Sequence, residues 1–249
     1  MSVPPLRARL RAETIAEIRA IARRHLATDG ANLSLRAVAR DAGLVPSALY
    51  RYFPSRDALL TALITDAYTS LAETAQAAEA AVPRDDLPGR FLALAHAVRT
   101  WALDNPAEYA LIYGSPVPDY TAPPETTQPA AIVVLVLVHI LFESIAGGHR
   151  PRVPARPLPA ETVADLRRLI DQAAPETRPA NWTDPADPTP EAALAVGLML
   201  WTQLFGLVSF EVFGRLDDMI EHRRAYFDHQ IRTLIDLAGL EPTPTGATP

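Results

Sequence analysis

From residue 7 to 27 apolar side chains return every third or fourth position, so that Leu10, Ile15, Ile18, Ala22 and Leu26 recur at helical spacing. Gly30 stops that helix. Ser34 is suited to cap a short second helix over 35–42, which Gly43 closes. A third helix is predicted from Pro46, a residue that fits a first helical turn, to Tyr52. Phe53-Pro54 breaks it, and Ser55 caps a long fourth helix running to Ala81, with Asp57 complementing its dipole. Downstream the pattern predicts helices at 87–104, 106–113, 128–147, 160–174, 190–213 and 216–238. Alternating period-two runs bounded by hairpin turns are missing, so the chain reads as all-α. Proline-rich stretches at 116–129, 151–159 and 175–190 separate the later helices, and the tail over 241–249 is expected to be disordered.

Two apolar runs pose a membrane question. Ala130–Phe142 is thirteen residues, too short to span, and contains His139. Ala192–Phe210 is nineteen residues without a charge, long enough by length alone. It is interrupted by Thr202, Gln203 and Ser209, is followed by Glu211, and has no arginine cluster before it to set topology. A helix buried on every side has the same pattern, and no membrane partner is expected.

Charge changes the picture more than composition does. The net charge of −6 speaks against a nucleic-acid partner, yet residues 1–57 hold ten arginines and five acids while the rest hold 13 arginines and 24 acids. A small cationic head on an acidic body fits anion binding at the head. There is no cysteine, which fits a reducing compartment, and the first ten residues carry Arg7 and Arg9 but no apolar run, so a cytoplasmic location is expected.

The segment from Leu33 to Leu60, LSLRAVARDAGLVPSALYRYFPSRDALL, resembles the DNA-binding domain of the TetR family over its whole length. Its physics agrees. Val38, Ala39, Leu44, Leu49 and Phe53 fall where two short helices would share a core with Ile18, Ala22 and Leu26, and small Ala39 lets the helices cross closely. That core turns Pro46, Ser47, Ala48, Arg51 and Tyr52 outward, on the helix whose first residues meet base edges in a helix-turn-helix. The resemblance implies phosphate contacts by Ser34, Arg36, Tyr50, Tyr52 and Arg56. Val45 departs from the family, standing where Ser or Thr usually caps the recognition helix, and is placed to touch a thymine methyl instead. Arg56 replaces the common lysine and Tyr52 the common histidine; both keep a group able to hold phosphate. With Ser47 and Ala48 small, base readout rests on Arg51 and on DNA shape.

In the second half, Trp201-Thr202-Gln203-Leu204-Phe205-Gly206 looks like the Trp…His-Gly element of one TetR C-terminal subgroup, with Phe205 where histidine is usual. Tyr113–Tyr120 is similar to a loop of the same subgroup. The resemblance implies a homodimer through helices near 190–213 and 216–238, a pseudo-palindromic double-stranded operator and a small-molecule effector. Candidate effector residues are Trp101, Tyr109, Tyr113, His139, Phe142, Glu143, Trp182 and Gln203, polar groups set among apolar ones. His139 and Glu143 are four residues apart and so share a helix face, meeting each other, a buried water or a ligand.

The expected organisation is a helix-turn-helix domain at 1–57, a helical-bundle ligand-binding and dimerisation domain at 58–240 joined to it by the long fourth helix, and the tail. An enzyme is not expected: Glu-x-x-His and His-Glu-x-x-His are missing, as are G-x-S-x-G, the P-loop and G-x-G-x-x-G, and no metal or cofactor is implied. The competing reading is a helical small-molecule binding protein whose DNA-binding head is vestigial.

Overall fold

The computed structural model describes residues 6–30, 33–152, 156–173 and 189–240. Trp182 and the tail lie outside them. The described residues form ten α-helices and no strand. They are α1 (Leu6–Asp29), α2 (Leu35–Asp41), α3 (Pro46–Leu49), α4 (Arg56–Ala80), α5 (Leu87–Asp104), α6 (Pro106–Tyr113), α7 (Thr127–Ala146), α8 (Ala160–Ala173), α9 (Pro190–Val212) and α10 (Arg223–Ala238).

Local chemistry sets most of these bounds. The Ser34 hydroxyl accepts from the Ala37 amide to cap α2, and Thr189 does the same for Ala192 at the start of α9. Gly43 has φ +65°, the left-handed turn that the short α2–α3 corner needs. Two expectations are corrected. α3 stops at Leu49, and the chain continues through turns to Tyr52. The last helix starts at Arg223 rather than 216: after Gly214 at φ +69° the chain turns repeatedly, burying Leu216 but leaving Met219 exposed. Asp217 in that turn pairs with Arg223, fastening it to the first residue of α10.

The chain divides into two compact units, Met1–Ser70 with Ala102–Ala130, and Leu71–Trp101 with Ala131–Pro249. In the first, Ile18, Ala22, Leu26, Val38, Ala39, Leu49, Phe53, Leu59 and Leu63 make one buried core, with Ala107 and Leu111 of α6 packed against it. Leu49 is the inward residue of α3, so one apolar side chain fixes which face that short helix turns outward. Arg19 of α1 pairs with Asp66 of α4 at 2.9 Å within the same unit.

In the second unit α9 packs on α8 and α10. Both α7 and α9 are long and apolar enough to cross a membrane, and each holds a row of fully buried residues, Leu137 and Ile140 in α7, Leu200 and Leu204 in α9. Less than half of each apolar window is buried, 44% in α7 and 39% in α9, so neither helix is covered on every side. Arg90 of α5, fully buried, donates to Glu79 of α4 at 2.5 Å, to the Arg84 carbonyl at 3.0 Å and to Glu143 of α7.

Candidate functional site

The recognition segment stands clear of the head core. Val45, Pro46, Ser47, Tyr50 and Arg51 are exposed, as are Ser34 and Arg36 at the start of α2, while Ala48, Tyr52 and Arg56 are half-buried. Val45 makes no side-chain cap and is 65% exposed, so its methyls face outward at the start of α3. Ser55 caps the Ala58 amide at 3.0 Å, which leaves Arg56 in the first turn of α4, where helix dipole and guanidinium both favour an anion. The DNA-binding candidates thus lie on α2, α3, the turn after it and the start of α4, around one core.

One contributor escaped the sequence reading. Arg11 of α1 lies over the Tyr52 ring at 5.0 Å, and its guanidinium donates to the Arg51 carbonyl at 3.4 Å. It thereby steadies the turn that carries Arg51 and Tyr52. The only prior signal was its place in the arginine-rich first helix. Behind the interface, His25 meets Asp41 at 2.8 Å. Hydrogen bonds from His25 and Arg40 hold the Asp41 carboxyl below its ordinary range.

The sensor candidates fall in both units. Tyr109, fully buried, and Tyr113 belong to the first, with ring centroids 5.2 Å apart; Tyr68 meets Tyr113 edge-on at 5.9 Å. Burial pushes the Tyr113 and Tyr68 phenols up, so both are neutral hydroxyls at physiological pH. Trp101, His139, Phe142, Glu143 and Gln203 belong to the second unit. Trp101 and Phe142 are buried, and Gln203 is exposed on α9. His139 lies 2.7 Å from Glu143, whose carboxylate also takes Arg84 and Arg90. Burial pushes that carboxyl up, but Arg90, His139 and Arg84 outweigh it and hold it below the ordinary range. Among the described residues no cluster of three or more metal-ligating side chains is placed to hold an ion.

A buried-core head presenting a short recognition helix, joined to an all-helical body, defines a helix-turn-helix transcriptional regulator. Residues 18–63 match the family described as bacterial regulatory proteins, tetR family, and residues 91–234 match the tetracyclin repressor-like C-terminal domain. HTH-type transcriptional regulators of Mycobacterium bovis and Mycobacterium tuberculosis are 39% identical over 226 residues, covering 88% of this chain and 90% of theirs. Among solved structures, the regulatory protein SCO4313 has 35% identity and a TM-score of 0.70, covering 94% of this chain and 100% of that one. A protein from Rhodococcus sp. RHA1, at 23% identity and a TM-score of 0.61 over 88% of this chain and 94% of its own, shares the fold. The chain belongs to the TetR family of transcriptional regulators. It is a DNA-binding regulator, not an enzyme.

Proposed function

We propose that the protein is a cytoplasmic, homodimeric repressor that holds a pseudo-palindromic operator and releases it when a small, largely apolar molecule binds its body. The observation that carries the reading is the recognition segment: Pro46, Ser47, Tyr50 and Arg51 stand exposed on a core that buries Leu49 completely. Residues 1–57 would grip DNA, with Val45, Pro46, Ser47, Ala48 and Arg51 toward base edges and Ser34, Arg36, Tyr50, Tyr52 and Arg56 on phosphates. Residues 58–240 would sense and pair, and α4, continuous from one region into the other, would carry the change. The effector must bind the free and operator-bound states with different affinity, and operator must weaken effector binding by the same factor.

Pairing is supported by what α9 leaves uncovered. Thr202, Gly206 and Phe210 follow at spacings of four and share one face; all are exposed, Phe210 by 58%. On α10, which packs beside it, Thr233 and Leu237 are exposed at the same spacing. Glycine among them lets two copies approach closely, and a two-fold axis through this face gives a self-complementary interface. Phe210→Glu is expected to turn the dimer into monomers in sedimentation and to lower operator affinity at least about 100-fold, since each head then binds alone. A Phe210→Glu protein that remains dimeric would place the interface elsewhere.

A further inference from the structure

A cavity of about 500 Å3 lies wholly within the first unit. Its walls are Ile64 and Tyr68 of α4, Leu111 and Ile112 of α6, the loop from Gly114 to Ala122, and the first turn of α7 as far as Ala130. The volume is that of an ordinary small-molecule site. Among the described residues no lining side chain carries a charge. The contrast is a larger cavity in the second unit, whose walls carry Arg99, Arg223, Arg224, Glu211, Glu221 and Asp228 and so are crowded with charge of both signs.

The hydroxyls of the neutral cavity are already part-committed, which sets what they offer a guest. Tyr68 donates to the Ile112 carbonyl at 3.2 Å, and Thr126 to the Pro123 carbonyl at 2.8 Å. Each has spent its one proton and keeps an oxygen able to accept. Tyr120 shares one hydrogen bond of 3.0 Å with Thr61. Ser115 and Thr127 add hydroxyls that can donate once and accept twice, so across the wall accepting sites still outnumber donors. A guest with an N–H or O–H is matched, and a charged guest would lose its hydration with no counter-ion to meet.

The cavity also sits where occupancy matters to the head. Ser115, Pro116 and Val117 wall it on one side and wall a second cavity of about 390 Å3 on the other, where Leu26 and Gly30 at the end of α1 form the facing side. A guest that displaces this loop shifts the support of α1, whose Ile18, Ala22 and Leu26 are in the core beneath the recognition helix.

We propose that this cavity is the effector site, and that the effector is an uncharged, largely apolar molecule bearing a hydrogen-bond donor. The inference rests on the ligand-release reading above. The probe is N-phenyl-naphthylamine, neutral with one N–H, set against anilinonaphthalene sulfonate, the same skeleton with a fixed negative charge. Fluorescence titration of the full-length protein is expected to show the neutral probe binding at least about tenfold more tightly than the anion. Ala130→Phe, which fills the cavity, is expected to weaken the neutral probe at least about tenfold. Tyr68→Phe, which removes one acceptor and keeps the ring, is expected to weaken it about three- to tenfold. Circular dichroism melts check that each variant is folded, and the tyrosine variant carries the test alone if the alanine variant is not. Equal affinity for the two probes, or unchanged affinity for the neutral probe in the folded variants, would overturn the proposal. Operator affinity read on the same samples separates the two claims. Loss of probe binding in the variants, with operator binding indifferent to the probe, upholds the cavity and overturns release. Probe-driven release that persists in Ala130→Phe upholds release and overturns the cavity.

Discussion

Arg90→Met is expected to destabilise the protein by about 3–5 kcal/mol at neutral pH, the cost of stranding buried charge. Arg90 is 0% exposed, and its guanidinium serves Glu79, Glu143 and the Arg84 carbonyl together. Methionine fills much of the volume but leaves two carboxylates facing each other. Arg84 reaches both, at 2.9 Å to Glu79 and 2.5 Å to Glu143, yet its side chain is 60% exposed and its pairing is screened by water. Acid should narrow the deficit. Glu143 is held below its ordinary range in the folded protein, so the stability it contributes is present above the unfolded carboxylate pKa and fades as pH falls through the lower folded value. Once protonated, the carboxyl needs no arginine. Urea unfolding at neutral and acid pH measures both effects. A neutral-pH loss under about 1 kcal/mol would mean that Arg90 is not the charge that holds α4, α5 and α7 together.

The second large effect is on DNA. Arg51 is the one long, charged, exposed side chain in the turn that ends α3, and Arg11 bonds its carbonyl rather than its guanidinium. Its neighbours Ser47 and Ala48 are too short to span far into a major groove. Arg51→Ala is expected to cost about 1–3 kcal/mol per head. Two heads on one operator roughly double that, a loss of about 30-fold to 10^4-fold in affinity. Titrations against operators changed one base pair at a time locate the effect. Loss confined to one position in each half-site marks a base contact; equal loss on every sequence would make Arg51 a phosphate contact and leave base readout to DNA shape.

Much of the fold was legible in the sequence because its boundaries are set locally. The bounds of α5 and α6, the Ser34 cap and the Gly43 turn each depend on residues within a few positions. The failures have equally local causes. α3 loses its last turn, and the segment 216–222 buries Leu216 yet spends its other residues on turns after Gly214, so an apolar count over 216–238 overstates the helix.

The site divides along the same line. The head residues form one contiguous segment whose periodicity shows which side chains are buried, and Leu49 inside with Arg51 outside follows from it. Arg11 came from a distant helix and gave no such signal. In the body, spacing placed His139 beside Glu143, and the structure has them 2.7 Å apart. It could not show Arg90, 53 positions away, taking the same carboxylate. The cavity by Tyr68 was equally hidden, since a loop from Gly114 to Ala122 supplies much of its wall and loops carry no period.

The central claim, that this is a specific, dimeric DNA-binding regulator, is tested most directly by titrating the purified protein against its own upstream intergenic region at 50 and 200 mM salt. If Arg36 and Arg56 of each head neutralise phosphates as proposed, about four contacts per dimer, affinity should fall by roughly 10^2-fold between the two salts, with two protomers per site. Tight binding with that slope and stoichiometry is the expected result. Binding no tighter than to unrelated DNA at either salt would contradict the account and favour a small-molecule binding protein whose head no longer reads DNA.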